Sequence, residues 1–523
     1  MVIAVAALVA GGSTLIGVPP SSAATTTAGN DVITTVVGGG SNAAITNGIV
    51  STSTNLGSPL GGVLDSHGNV VFADQNNNVI RVAAAVSGTF YGHAMVAGHI
   101  YTIIGNGQNG DVGDGTGNMA AVEFSGPSSV VIDAQGDIII TDTDDDAVRM
   151  VAAAGGLRYG EEMSAGDIYT IAGGGEEGEI TPGGSAFSAG LTGPDGVAID
   201  AQGDVYIADT GDDLIRFVPA AARTVFGMAV QPGHIYTLAG NGNYGYTGDG
   251  GPGPSAQLQL DTFNGVALDA NGDVIFADVD NQVVRMVAAN TGTYLGRAVT
   301  AGYIYTIAGN GHEGFAGNKK PATKAWLDTP QGVAIDSAGN LLISDSVNND
   351  IRLVPSHKET YDGMAVKAGD IYTIAGNRTA GYTGNPGAAT SSELNEPAGI
   401  SVGPSGTLLV FDNGNNVVRE ITGPAPLPPA VSALKPASGP TTGDRKVNII
   451  GTGLSDVTAV MFGSRPALSF TVKSAKKVVA YSPASATGRV TIRVYSPIGV
   501  NAVTSVDSYT YQVAAAKKHR RRL

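Results

Sequence analysis

The sequence predicts an all-β protein, a six-bladed β-propeller closed by an N-terminal strand and followed by a C-terminal Ig-like β-sandwich. Three observations predict it. Short apolar runs alternate with turns rich in Gly, Asn and Asp; one phrase recurs six times at nearly constant spacing; and a Pro-rich stretch then leads into a region of opposite charge. The chain has 523 residues, more than one core usually serves, with 76 Gly and 14% charged residues. That mixture suits many short strands and tight turns better than long helices.

Residues 1–24, "MVIAVAALVAGGSTLIGVPPSSAA", are apolar and end in small residues that suit signal-peptidase cleavage after Ala24. No Lys or Arg precedes Arg81, so an uncleaved anchor or a start placed too late is the alternative to export. No later segment is apolar for long enough to span a bilayer as a helix. The chain has no Cys, which excludes disulfides, thiolate nucleophiles and Cys-ligated metals.

The recurring phrase reads "GVAIDAQGDVYIADTGDDLIRF" in its third copy. Its late aspartates are Asp74, Asp142, Asp209, Asp278, Asp345 and Asp412, and each is followed seven positions on by Arg81, Arg149, Arg216, Arg285, Arg352 or Arg419. Within a copy, "GVAID", "VYIADT" and "LIRFV" are strands separated by turns, and "HIYTLAG" after a spacer is a fourth. Four antiparallel strands at constant spacing indicate propeller blades. The fourth-strand series begins one step early, with "NDVITTVVGGG" at residues 30–40, and the last copy has no fourth strand after it. Residues 32–38 are therefore expected to pair with the strand around Val417–Ile421 and complete the last blade.

These phrases resemble NHL repeats, and the linked "IYTLAGNGNYGYTGDGGPGPSAQL" is similar to the variant in teneurin-type and exported bacterial NHL propellers. The resemblance covers about residues 30–422. It departs locally at Gly403, which replaces the usual acid, and at the poor connectors "EEGEITPGGSAF" and "NGIVSTSTNL". After a Pro-rich linker at 423–430, residues 431–512 show short alternating strands that suit a small β-sandwich. Through "SGP", "GTGL", "FG" and the closing Tyr509 and Tyr511 this part resembles an IPT/TIG domain, which implies a spacer or interaction module. Residues 513–523 form a basic tail.

The net charge of −16 is unevenly placed. From Ala430 onward there are 14 Lys or Arg and 3 acids, whereas the remainder holds 15 and 42. Two solvated surfaces of opposite sign account for this; the sharper reading is that the basic end attaches to an anionic envelope polymer or to the acidic domain itself.

Candidate chemistry is sparse. The Asp and Arg series occupies one sheet face diagonally and recurs in every unit, which marks a structural pair rather than a catalytic one. "DTDDDA" at 142–147 places carboxylates as a calcium loop does, but Ala147 and Ala153 stand where Gly and Glu are needed, leaving a solvated turn. Asp114 and Asp249 in the connectors leave calcium as a weak possibility, and no other cofactor is expected. The seven His show no ligand spacing.

The units differ most at the residue beside the first strand's Gly: Leu60, Ser128, Asp195, Asn264, Gln331 and Ala398. Ser128, Asp195, Asn264 and Gln331 are the expected ligand-binding residues, rimming a polar funnel at the propeller top, with Asp195 as its acidic member. The expected function is a non-catalytic, secreted or cell-surface binding scaffold for a protein or carbohydrate. It is expected to act as a monomer and without nucleic acid. The alternatives are a lactonase-like hydrolase or lyase and a structural envelope component.

Overall fold

The computed structural model describes residues 31–513 apart from 44, 176–182, 262, 264, 404, 423–428, 453, 455–456, 475, 497–498 and 502. The expected signal segment, linker residues 423–428, the tail from 514 and the site candidate Asn264 lie outside the described residues.

Each copy of the phrase builds one antiparallel sheet. In the third copy the strands, from the innermost outward, are Pro194–Ile199, Val205–Asp209, Leu214–Val218 and His234–Ala239, with the short Gly184–Ser185 on the outer edge. The last copy supplies Pro397–Val402, Leu408–Asp412 and Val417–Thr422, and its fourth strand is Val32–Gly38. Thr35 lies opposite Arg419 there, as Thr102, Thr170, Thr237, Thr306 and Thr373 lie opposite the arginines of the other sheets.

The cores sit between consecutive sheets. Ile275 and Met286 of the fourth sheet pack with Val333 and Ile343 of the fifth, and Val37, Phe411 and Val418 pack with Val70, Phe72 and Ile100 of the first. The innermost strands approach so closely that a Cβ on Gly332 would run into the Ala398 carbonyl, and one on Gly399 into the Leu60 carbonyl. The repeated Gly is thus a consequence of backbone packing near the axis.

Two devices recur in all six sheets. The arginine has no accessible surface, and its Nη1 lies 2.7–3.5 Å from the aspartate Oδ2 seven residues earlier. The other oxygen of each of these carboxylates accepts a backbone N–H from the incoming connector, as Asp209 does from Thr192 at 2.8 Å and Asp278 from Gln259 at 2.8 Å. Burial pushes these carboxyls above their usual range, while the guanidinium and the N–H pull them back.

The second device is a left-handed residue in the turn between strands two and three. Asn78, Asp146, Asp213, Gln282, Asn349 and Asn416 have φ of 51–56°, and each side chain accepts an N–H from the next sheet's entry. Asn416 reaches Ser58 at 2.9 Å, the same contact carried from the last sheet to the first. The "DTDDDA" turn is therefore not simply solvated: Asp142 is fully buried and Asp146 holds Gly193 at 2.7 Å, leaving Asp144 exposed.

The spacers fold as well. Arg223–Val225 and Met228–Val230 form a two-stranded ribbon through Phe226 and Gly227 at φ of 52° and 78°, and sheets one, two, four and five carry its counterpart.

Beyond residue 429, a four-stranded and a six-stranded sheet enclose Val447, Ile449, Phe462, Ile492, Tyr509 and Tyr511. Tyr509 stacks edge-on against Phe462 and Tyr511, and Tyr511 donates to the Pro483 carbonyl at 2.9 Å.

Asp209→Ala leaves the Arg216 charge buried without its partner and is expected to cost about 3–5 kcal/mol. Urea unfolding checks this, and an equally stable variant would refute the structural role of the pair.

Candidate functional site

The innermost strands of all six sheets line one axial cavity of about 330 Å³. Its walls are glycine backbone and aliphatic side chains such as Val131, Ala198, Ala267 and Ala334, with Ser129 and Ser401 as the polar side chains among the lining. The variable position precedes this lining by one residue in each strand, so Leu60, Ser128, Asp195, Gln331 and Ala398 stand at one end of the cavity.

Ser128 has no accessible surface. Its hydroxyl lies 3.1 Å from Thr141 Oγ1, 2.5 Å from Thr143 Oγ1 and 3.0 Å from the Asp195 carbonyl oxygen. Thr141 donates to that same carbonyl at 2.9 Å and Thr143 to the Pro194 carbonyl at 3.0 Å. These hydroxyls thus lock the second sheet to the third where the innermost strands begin.

Asp195 is buried, and its carboxyl is pushed up to about 7. Burial is the largest cause; hydrogen bonds from Thr210 and Ser128 lower it, and the charges of Asp144 and Asp261 raise it. Gln331 is half-buried, and its carbonyl accepts the Gly265 N–H at 2.9 Å. Opposite these polar groups, Phe263 of the fourth sheet reaches Leu60 and Ala398 of the first and sixth. The structure therefore brings Ser128 and Asp195 together, places Gln331 in the fifth sheet, and sets the Phe263 ring at the same end.

Thr141, Thr143 and Thr210 are the residues that reading the sequence missed. They flank the repeated aspartate in "TDT" and "ADT", where the first and fourth copies have Ala73, Gln75, Ala277 and Val279 and the fifth has Ser344 and Ser346. The signal was a hydroxyl on either side of an otherwise fixed Asp.

The connector acids considered for calcium are engaged by protein groups. Asp114 Oδ1 lies 3.0 Å from Arg149 Nη2, and its Oδ2 accepts the Thr170 N–H at 3.2 Å. Asp249 accepts the Thr306 N–H and lies 3.8 Å from Arg285 and 3.5 Å from Arg297. Among the described residues no group of three or more His, Asp or Glu is arranged to hold a metal ion.

The connector end of the sheets also exposes large aromatics. Tyr244 is 72% exposed, Tyr246 45%, Trp326 42% and Tyr382 42%.

Comparison with known proteins fits this architecture. Residues 429–512 match the IPT/TIG domain family. Mouse teneurin-3 is 26% identical over 359 residues, covering 62% of this chain and 12% of teneurin-3. Residues 429–512 are thus an IPT/TIG domain, and the repeats before them are similar to those of teneurin-3. The Arabidopsis thaliana protein SUPPRESSOR OF QUENCHING 1, chloroplastic, is 23% identical over 322 residues, covering 61% of this chain and 27% of that protein. The chain thus spans 12% of mouse teneurin-3 and 27% of the plant protein. Among solved structures, an auxiliary nutrient binding protein from Bacteroides ovatus is 13% identical with a TM-score of 0.46, covering 75% of this chain and 77% of that one.

In the unfolded chain Asp195 has the ordinary aspartate value of 3.8, and burial in the folded chain raises it to about 7. Between those values the folded state holds a proton that the unfolded state has released, so stability falls as pH rises through this window and levels off above it. Asp195→Asn is expected to remove this component, worth at most a few kcal/mol at about 1.4 kcal/mol per unit. Urea midpoints at pH 5 and pH 8 check it: the wild type should lose more stability between them than the variant.

Proposed function

We propose that this chain is an exported, non-catalytic binding scaffold whose six sheets are the blades of one closed propeller. In this reading Val32–Gly38 is the closing strand, and the connector face presents a protein or glycan ligand with its contact surface. One observation carries it: among the described residues the axial cavity is lined mostly by glycine backbone and aliphatic side chains, with Ser129 and Ser401 as its polar side chains, whereas the connector face displays Tyr244, Tyr246, Trp326 and Tyr382 to solvent. Exposed aromatics give a large contact area for little loss of side-chain freedom, which suits recognition. Ser128, Asp195, Asn264 and Gln331 remain the proposed polar contribution at the mouth of the cavity. With Ser128 fully covered, its part is to fix the Asp195 backbone, and Gln331 is the better placed of the described residues to touch a ligand.

Cyclic contacts support the closed ring: the Asn416 to Ser58 clasp, the core joining the sixth sheet to the first, and the register of Thr35. The IPT/TIG domain exposes Lys446, Lys473, Lys477 and Arg489, which suits contact with an anionic envelope polymer and an anchoring role. No helix among the described residues is long and apolar enough to cross a membrane.

A glycan array and a secretome pull-down with the whole chain test the ligand. Tyr244→Ala with Trp326→Ala should weaken capture about tenfold or more, and replacing Ser128, Asp195, Asn264 and Gln331 together by Ala should weaken it too. Capture unchanged by both sets would refute the connector face. Deleting residues 30–40 tests the ring separately, with a large fall in the unfolding midpoint expected; an unchanged midpoint would refute closure by this strand.

A further inference from the structure

Two departures from the sixfold pattern meet in one cavity. The third strand opens with Val79, Ala147, Leu214, Val283 and Val417 in five sheets, but with Asp350 in the fifth. Asp350 is 1% exposed. Its Oδ2 lies 3.4 Å from the Thr373 hydroxyl, and its Oδ1 is buried with no hydrogen-bond partner among the described residues.

The second departure is in the connector. Gly107, Gly242 and Gly311 hold a left-handed turn at φ of 82°, 74° and 82°, and Arg378 stands in the matching place at φ of 68°. An L side chain in this conformation is strained, which the sister glycines avoid. Arg378 is exposed, its guanidinium lies 4.7 Å from the Phe315 ring centre, and among the described residues it makes no hydrogen bond or ion pair.

Both residues line a cavity of about 350 Å³, with Phe315, Asn318, Thr373 and Thr390. Phe315 also covers Arg352 at 4.5 Å, so the stack fixes the ring between two guanidinium groups. Leaving a buried carboxylate oxygen unpaired and an arginine in a glycine conformation each costs stability, and neither serves the repeat. Their coincidence in one cavity has a common explanation in a ligand.

We infer that this cavity binds a small solute bearing a carboxylate and, a few atoms away, a hydrogen-bond donor. The guanidinium of Arg378 takes the carboxylate at the mouth in the paired geometry that arginine favours, and Asp350 Oδ1 receives the donor inside. Two sources share this chemistry: an α-amino acid, whose donor is an ammonium, and a uronic acid, whose donors are hydroxyls. Burial acts most strongly on Asp350 and raises its carboxyl to about 7; Arg352 and Arg378 favour its ionised form, and Asp345 opposes it.

Calorimetric titration of the whole chain with alanine, with glucuronate and with inorganic phosphate tests this. Saturable binding of alanine or glucuronate is expected, weakened at least tenfold by Asp350→Val and by Arg378→Gly. Both changes restore the sister residue, so both variants are expected to fold with unchanged or higher melting midpoints. Asp350→Asn separates the sources, because it should abolish alanine binding and spare glucuronate. The inference is overturned if neither acid saturates, if binding survives both restoring changes, or if phosphate binds as tightly as the better acid. It does not depend on the connector-face reading: a chain that captures no protein or glycan and still takes one of these acids retains this site.

Discussion

Complete burial of one arginine per sheet is the constraint from which most of this architecture follows. A guanidinium does not give up its charge, so removing it from water demands a fixed counter-charge and several acceptors. The aspartate seven residues earlier supplies the charge from the neighbouring strand. Its second oxygen then holds a connector N–H, and connector carbonyls such as those of Glu123, Gln257 and Glu393 accept from the arginine at 3.1, 3.0 and 2.9 Å. Phe124, Tyr246, Phe315 and Tyr382 cover the guanidinium groups at 4.5–5.6 Å. The path of a long, glycine-rich connector is thus set by the solvation of one buried charge.

A buried Asp and Arg pair repeated in all six sheets makes the exceptions to the pattern informative. At the mouth of the axial cavity one side is apolar, through Leu60, Phe263 and Ala398, and the other carries Ser128, Thr141, Thr143 and Asp195. In the proposed ring nothing in the repeat itself calls for this asymmetry. The same reasoning applies to Asp350 and Arg378, which the framework does not need.

Sheet number, strand order and the Asp and Arg pairs were legible because a backbone repeat of fixed length leaves a fixed register in the sequence. The clasps from Asn78 through Asn416 were not, since Asn and Asp in a turn read as solvent-exposed whether or not the next sheet presents an N–H. Nor were the ribbons, whose tips use Tyr91, Tyr159 and Phe226 at positive φ where Gly or Asn is the usual signal. The candidate site was half legible. The variable residue beside the first-strand Gly drew attention to Ser128 and Asp195, but burial, Phe263 and the flanking threonines depend on which sheets become neighbours. Asp350 was visible in "NNDIRL" against "NNVIRV" and "GDDLIRF", yet only its cavity separates it from an ordinary turn residue.

The position of the seam in the proposed ring has a physical logic. Gly38 takes φ of 85°, in line with Gly105, Gly173, Gly240, Gly309 and Gly376, and a Cβ there would meet the Asn416 carbonyl as theirs would meet the matching carbonyl of their own sheet. The chain leaving the N-terminal strand therefore enters the first sheet as every other fourth strand enters the next. Connections between sheets are thereby alike all round, and the break falls inside the last sheet, between its third and fourth strands. Between sheets only side-chain packing and single clasps would hold a break together. Within a sheet a ladder running from Val32 opposite Thr422 to Gly38 opposite Val417 does so, with Asn385 adding a hydrogen bond to the Thr35 N–H at 2.8 Å. A ring cut inside a sheet keeps its backbone donors and acceptors paired at the seam, which a ring cut between sheets would leave to packing alone.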